Sequence, residues 1–105
     1  MSTVPYTTVA VAPTPTELFV LDTRGMRATA VQVDNLDPVQ TIACTVFSRV
    51  DGRMEWAPSS LPDLSSIPAL ESRLVQIDTS HLTDLRITAV ASGAGCDVAV
   101  TAVGV

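Results

Sequence analysis

The chain has 105 residues, enough for one domain whose fold buries roughly 60–70% of the surface its unfolded chain exposes. Its apolar content is 47%, dominated by Val and Ala, but only four residues are aromatic, a mixture suited to thin β layers. All six basic residues are Arg against eleven acids, so the formal charge is −5; no basic cluster exists for a phosphate backbone, and no apolar run approaches a membrane span of ~20 residues.

In chain order, runs rich in Val, Ile and Thr recur between Pro, Gly and Asp punctuation, while helical periodicity is nearly absent. The first run, residues 6–12, stops at Pro13-Thr14-Pro15, where missing donors disfavour pairing. A second, 17–22, ends in the turn Thr23-Arg24-Gly25-Met26. A third, 27–34, alternates Thr29, Val31 and Val33 with Ala28, Ala30 and Gln32, the mark of a half-buried strand. Asn35-Leu36-Asp37-Pro38 turns the chain with side chains that bond their own backbone.

Residues 40–50 form the longest strand candidate, with Ile42, Cys44, Val46 and Val50 on one face. Asp51-Gly52 is the strongest hairpin signal, pairing 47–50 with 53–56 through a primed turn. The stretch 58–68 holds three prolines and four serines with Leu61, Leu64 and Ile67 at spacings of three. It reads as a long loop with one short helical turn, whose apolar residues need a surface to cover. Residues 71–78 resume strand character, 79–83 form a corner, and 84–92 align Leu85, Ile87, Ala89 and Ala91. After the turn Ser92-Gly93-Ala94-Gly95 comes a last strand, 96–105, uncharged after Asp97.

Seven or eight such strands, spaced by about 8–14 residues, predict an all-β fold: an antiparallel β-sandwich or jelly roll. The expected organisation is an N-terminal arm with the first strand, residues 1–15, and a single sandwich domain over 16–105.

No catalytic constellation emerges. The one histidine, His81, follows Ser80 and precedes Asp84 by three residues, and neighbours along an extended chain point apart. One His with two isolated cysteines does not complete a usual zinc site. Asp34, Asn35 and Asp37 lack the Gly and distal Glu of a calcium-binding EF-hand loop. Cys44, Trp56 and Cys96 invite comparison with an immunoglobulin domain, yet Ala94 stands where that fold has a tyrosine, and Cys96 falls on the final strand rather than the penultimate one. Both cysteines read as buried thiols, and no catalytic residue, cofactor or metal is expected. Met1 to Pro5 lacks the pattern of a secretory signal, so synthesis in a cytoplasm is expected.

The uncharged last strand would recruit another strand if left on an edge, so it must be central, covered or paired with another chain. Exposure logic places candidate contacts on the arm (Val4, Tyr6, Val9, Val11), on the 58–68 loop (Leu61, Leu64, Ile67) and on the last strand (Val100, Val103, Val105).

Residues 73–98, RLVQIDTSHLTDLRITAVASGAGCDV, carry a strand, a polar corner, Leu85-Arg86-Ile87 and a glycine turn into the last strand. In this the chain resembles the closing hairpins of small β-sandwich virion proteins of tailed bacteriophages. The resemblance implies a head decoration or cement protein, present in the virion in many copies, bridging major capsid subunits. Its partners would be the major capsid protein or another virion protein and further copies of itself, with no direct nucleic-acid or membrane contact. The rival expectations are a carbohydrate- or ligand-binding sandwich module, another small virion component of tail or head, and an accessory subunit of an enzyme.

Overall fold

The computed structural model describes residues 2–50, 57–59 and 61–105. Eight strands are described: β1 (Ser2–Val11), β2 (Thr16–Asp22), β3 (Ala28–Asn35), β4 (Ile42–Arg49), β5 (Ala57–Ser59), β6 (Ser72–Asp78), β7 (Asp84–Ala91) and β8 (Cys96–Gly104), with one helical turn, α1 (Pro62–Ser65), between β5 and β6. They form two four-stranded sheets in the orders β1-β8-β3-β6 and β2-β7-β4-β5.

Every described pairing is antiparallel, and β1 pairs with β8, β2 with β7, β3 with β6 and β4 with β5. This is one long hairpin, the first four strands against the last four, rolled so that β8 meets β3 and β7 meets β4. The winding is that of a jelly roll, one of the two expected all-β forms.

The core lies between the sheets because the alternation is in phase on facing strands. Val31, Val33, Val98 and Val100 from one sheet face Ile42, Cys44, Val46, Leu85 and Ile87 from the other, all buried. Val50, expected on the inward face of β4, lies past the end of that strand and is exposed. The hairpin expected at Asp51-Gly52, its pairing to 53–56 and the reading of Trp56 lie outside the described residues. The described partner of β4 is β5, with Phe47 opposite Pro58.

At the chain's margins the structure moves one expected boundary and decides two readings that the sequence left open. First, β1 starts at Ser2 rather than residue 6 and runs beside β8 from Ser2 opposite Gly104 to Val11 opposite Cys96. Pro5 is absorbed on this edge strand where the register shifts between Val4 and Thr7. The Thr101 hydroxyl donates to the Val4 carbonyl (2.8 Å) and the Thr7 hydroxyl to the Pro5 carbonyl (2.7 Å). Second, β8 is central, flanked by β1 and β3, so its own sheet covers its backbone. Third, Leu64 and Ile67 are wholly buried, and the surface the loop covers is the chain's own core. Ile67 bonds Ile42 in both directions, N–H to O at 2.7 and 3.0 Å, closing one end of the sandwich.

Two short connections depend on backbone chemistry. Gly25 takes a φ of +79° in the turn after β2, where the Met26 N–H donates to the Thr23 carbonyl at 3.0 Å. Asn35 ends β3 by turning its side chain inward. Its amide donates to the carbonyls of Gln40 (2.7 Å), Ile67 (3.1 Å) and Pro68 (3.2 Å), while its Oδ1 accepts the Asp37 N–H (3.0 Å).

Candidate interaction surface

The two sheets present different outer faces to their surroundings. On β2-β7-β4-β5 the outward residues include Glu17, Asp84, Arg86 and Arg49, joined across strands as Arg86–Glu17 (3.2 Å) and Arg49–Asp84 (2.9 Å), with Arg86 also over the Phe47 ring at 5.4 Å. Beyond β2, Arg24 closes on Asp22 at 2.8 Å, which holds that carboxyl down at about 2. Such a face presents paired charges, whose remaining hydration is costly to strip.

The outer face of β1-β8-β3-β6 is built largely from uncharged side chains, with Asp34, Asp78 and Asp97 as its acids. Register places Thr3, Val103, Ala30 and Gln76 in one row across it, and Thr101, Gln32 and Leu74 in the next. A third row holds Thr8, Ala99, Asp34 and Ser72. Large apolar groups stand exposed on this face: Leu74 at 69%, Val105 at 64%, Tyr6 at 62% and Val103 at 41%.

Tyr6 acts as a strap. From β1 its hydroxyl donates to the Asp34 carboxylate on β3 (3.3 Å), so the side chain spans β8, and outward-facing Ala99 beneath is fully covered. Asp34 is partly desolvated, which pushes its pKa up, but hydrogen bonds from Ser72, Gln32 and Tyr6 outweigh this and hold it below the ordinary value. A carboxyl lowered on folding stabilises the fold above its unfolded pKa, and that contribution is lost as pH falls through the folded value. Replacing Tyr6 by Phe should therefore move the Asp34 titration, followed by NMR of its carboxyl carbon, upward toward an ordinary aspartate; an unmoved curve would show that the strap is not engaged.

A second exposed apolar group, Leu36, Val39 and Leu70, lies on the connections at the Asn35 end of the sandwich. The Leu70 N–H donates to the Asp37 carbonyl (3.1 Å), tying the two connections together. Leu70 takes a φ of +60°, a left-handed conformation unusual for leucine. The Asp37 carboxylate accepts the N–H groups of Val39 and Gln40, both at 2.8 Å, as the Asx-turn reading of this segment expected.

The ten candidate contact residues thus divide by their place in the fold. Tyr6, Val103 and Val105 lie exposed on the neutral face. Val4, Val9 and Leu61 are half-buried against the core. Val11, Leu64, Ile67 and Val100 are interior, so these four are corrected from surface to core. For Val11 and Val100 the reason is strand alternation, with Val98, Val100 and Ala102 inward and Val103 and Val105 outward; Leu64 and Ile67 are buried because α1 and the bridge of Ile67 to Ile42 fold the loop onto the end of the core. Leu74, Leu36, Val39 and Leu70 were missed. For Leu74 the alternation with Val75 was available as a signal, but which of the two faced out depended on the partner strand.

Chemistry elsewhere is sparse. His81 is exposed at its corner, and the Ser80 hydroxyl donates to Asp78 (2.7 Å) rather than to it. Among the described residues no three His, Cys, Asp or Glu side chains cluster closely enough to hold a metal ion. An open groove of about 440 Å³ lies between Val11, Asp37, Gly95 and Asp97, with Cys96 in its wall. Cys44 on β4 and Cys96 on β8 are free thiols in opposite sheets, both buried. Burial pushes Cys44 up to about 12; burial, then the carboxylates of Asp37 and Asp97, raise Cys96.

Both thiols should resist a disulfide reagent in the native protein at neutral pH and react in denaturant. A thiol raised on folding contributes stability that is present below its unfolded pKa and lost as pH rises toward the folded value. Urea melts should show stability lower by about 2 kcal/mol near pH 10 than at neutral pH, from an unfolded Cys pKa of about 8.5. Fast labelling of the native protein would refute this burial.

No protein-family model matches this chain, and no curated protein matches it by sequence. Among solved structures, it is similar to the crystal structure of SPBc2 prophage-derived protein YomS, with a TM-score of 0.60 at 15% identity. The match covers 99% of this chain and 95% of that one. At that identity the likeness is one of fold, extending over nearly the whole of both chains.

Proposed function

We propose that this protein is a non-enzymatic structural component of a phage particle, of the capsid decoration or cement type. The observation that carries the proposal is the distribution of exposed apolar groups on a small jelly roll: one on the neutral sheet face and one at the Asn35 end. A protein that bridges neighbours needs more than one contact surface, and exposed apolar groups of this size mark association rather than solvation. The fold shared with a prophage-derived protein supports the phage assignment.

In this reading the Leu36, Val39 and Leu70 end meets the major capsid protein, and the acidic remainder of the surface stays turned from packaged DNA. The protein is made in the host cytoplasm and ends in the virion. Quantitative mass spectrometry of gradient-purified particles from the encoding strain tests it. Copy numbers comparable to the capsid protein, reduced by Leu70→Asp, are the expected result. A handful of copies would move the protein to a tail or head-completion role, and absence from particles would overturn the proposal.

A further inference from the structure

We infer that the neutral outer face of the β1-β8-β3-β6 sheet is a self-association surface that takes a second copy of this chain. The inference rests on the structural-protein reading above and names the partner for one of its surfaces.

Three observations select a second copy. The first is charge. The face carries no Arg among its described outward residues, and its acids are Asp78 and Asp97 near opposite ends and Asp34, already bonded by Tyr6, Gln32 and Ser72. It thus offers no cation to an acidic partner, and the one acid away from its ends, Asp34, is already held by hydrogen bonds. A second copy presents the same largely uncharged rows, so a two-fold contact centred on Thr101, Gln32 and Leu74 leaves Asp78 and Asp97 toward its margins.

The second is area. Four strands about 4.8 Å apart, each rising ~3.3 Å per residue, span about 20 by 30 Å, or about 600 Å² before side-chain relief. A standard stable interface buries about 800 Å² of accessible surface per partner, so this face is close to the size a dimer needs. The third is composition. Tyr6, Leu74, Val103 and Val105 stand among small and hydroxyl-bearing neighbours, Ala28, Ala30, Thr3 and Thr101, a surface whose contact with a two-fold copy covers one charge in its inner rows, Asp34, which keeps its hydrogen bonds from Tyr6 and Gln32.

Sedimentation velocity on the purified full chain, from about 5 to about 200 μM, reads the equilibrium directly. The expected result is a species of about 22 kDa, twice the 11.0 kDa chain. Leu74→Lys with Val103→Lys should return it to a monomer with unchanged circular dichroism, whereas Val20→Lys, on the opposite sheet, should leave the dimer intact. Should the double variant lose the native spectrum, Leu74→Lys alone, at an exposed edge-strand site, reads the same equilibrium. A wild-type monomer throughout the range, or a dimer indifferent to charge at Leu74, would overturn the inference. A wild-type monomer whose incorporation into particles is abolished by Leu74→Lys would assign the face to another virion protein. Such a monomer, abundant in particles, would sink self-association and leave the structural role standing; a dimer absent from particles would do the reverse.

Discussion

Replacing Asn35 by Asp should destabilise the protein by about 3–5 kcal/mol at neutral pH, the cost of a buried charge without a partner. Asn35 is buried, and its amide faces three carbonyl oxygens, those of Gln40, Ile67 and Pro68. An aspartate of the same shape keeps the bond from the Asp37 N–H but turns a second anionic oxygen toward those carbonyls. The substituted carboxyl should therefore prefer its protonated, donating form, with a folded pKa above the unfolded ~3.9.

The pH dependence follows with a definite sign. A carboxyl raised on folding is least harmful below its unfolded pKa and costs most above its folded one, so the deficit of Asn35→Asp relative to wild type should shrink on acidification toward about pH 4. Urea melts of both proteins at pH 7 and near pH 4 measure it. A deficit independent of pH would mean that the three carbonyls are satisfied in some other way. Asn35→Ala, which merely leaves them without a donor, should cost less at neutral pH, about 1–3 kcal/mol, and show no such recovery.

Replacing Leu64 by Ala should cost about 3 kcal/mol, within the range for emptying a fully buried leucine site. Leu64 projects from the single turn of α1 into the end of the sandwich and is wholly buried. At about 4–8 °C per kcal/mol for a domain near this size, the midpoint should fall by about 12–24 °C. Leu74→Ala, at an equally large but exposed leucine, should shift it by no more than a few degrees. Calorimetry of the two variants separates a loop that completes the core from one that waits for a partner. Equal, small shifts would show that Leu64 is a surface residue after all.

These variants also show where the sequence is legible. The all-β class was readable from Val31 and Val33, from Ile42, Cys44 and Val46, and from Leu85 and Ile87, because alternation of period two is a local property of an extended chain. Asx chemistry after β3 was readable for the same reason, since Asp37 bonds backbone two and three residues onward. The inward amide of Asn35 was not, because two of its three acceptors lie more than thirty residues away.

What the sequence by itself determined, then, is the class of fold, most strand positions, and the net acidity of the chain. Local periodicity and composition suffice for each of these. Tertiary structure alone decided that β8 is central, that Leu64 and Ile67 close the core, and that Tyr6, Leu74, Val103 and Val105 share a neutral face opposite an ion-paired one. These depend on register between strands as distant as β1 and β8, and a register contact records which residues meet only once the chain has rolled up.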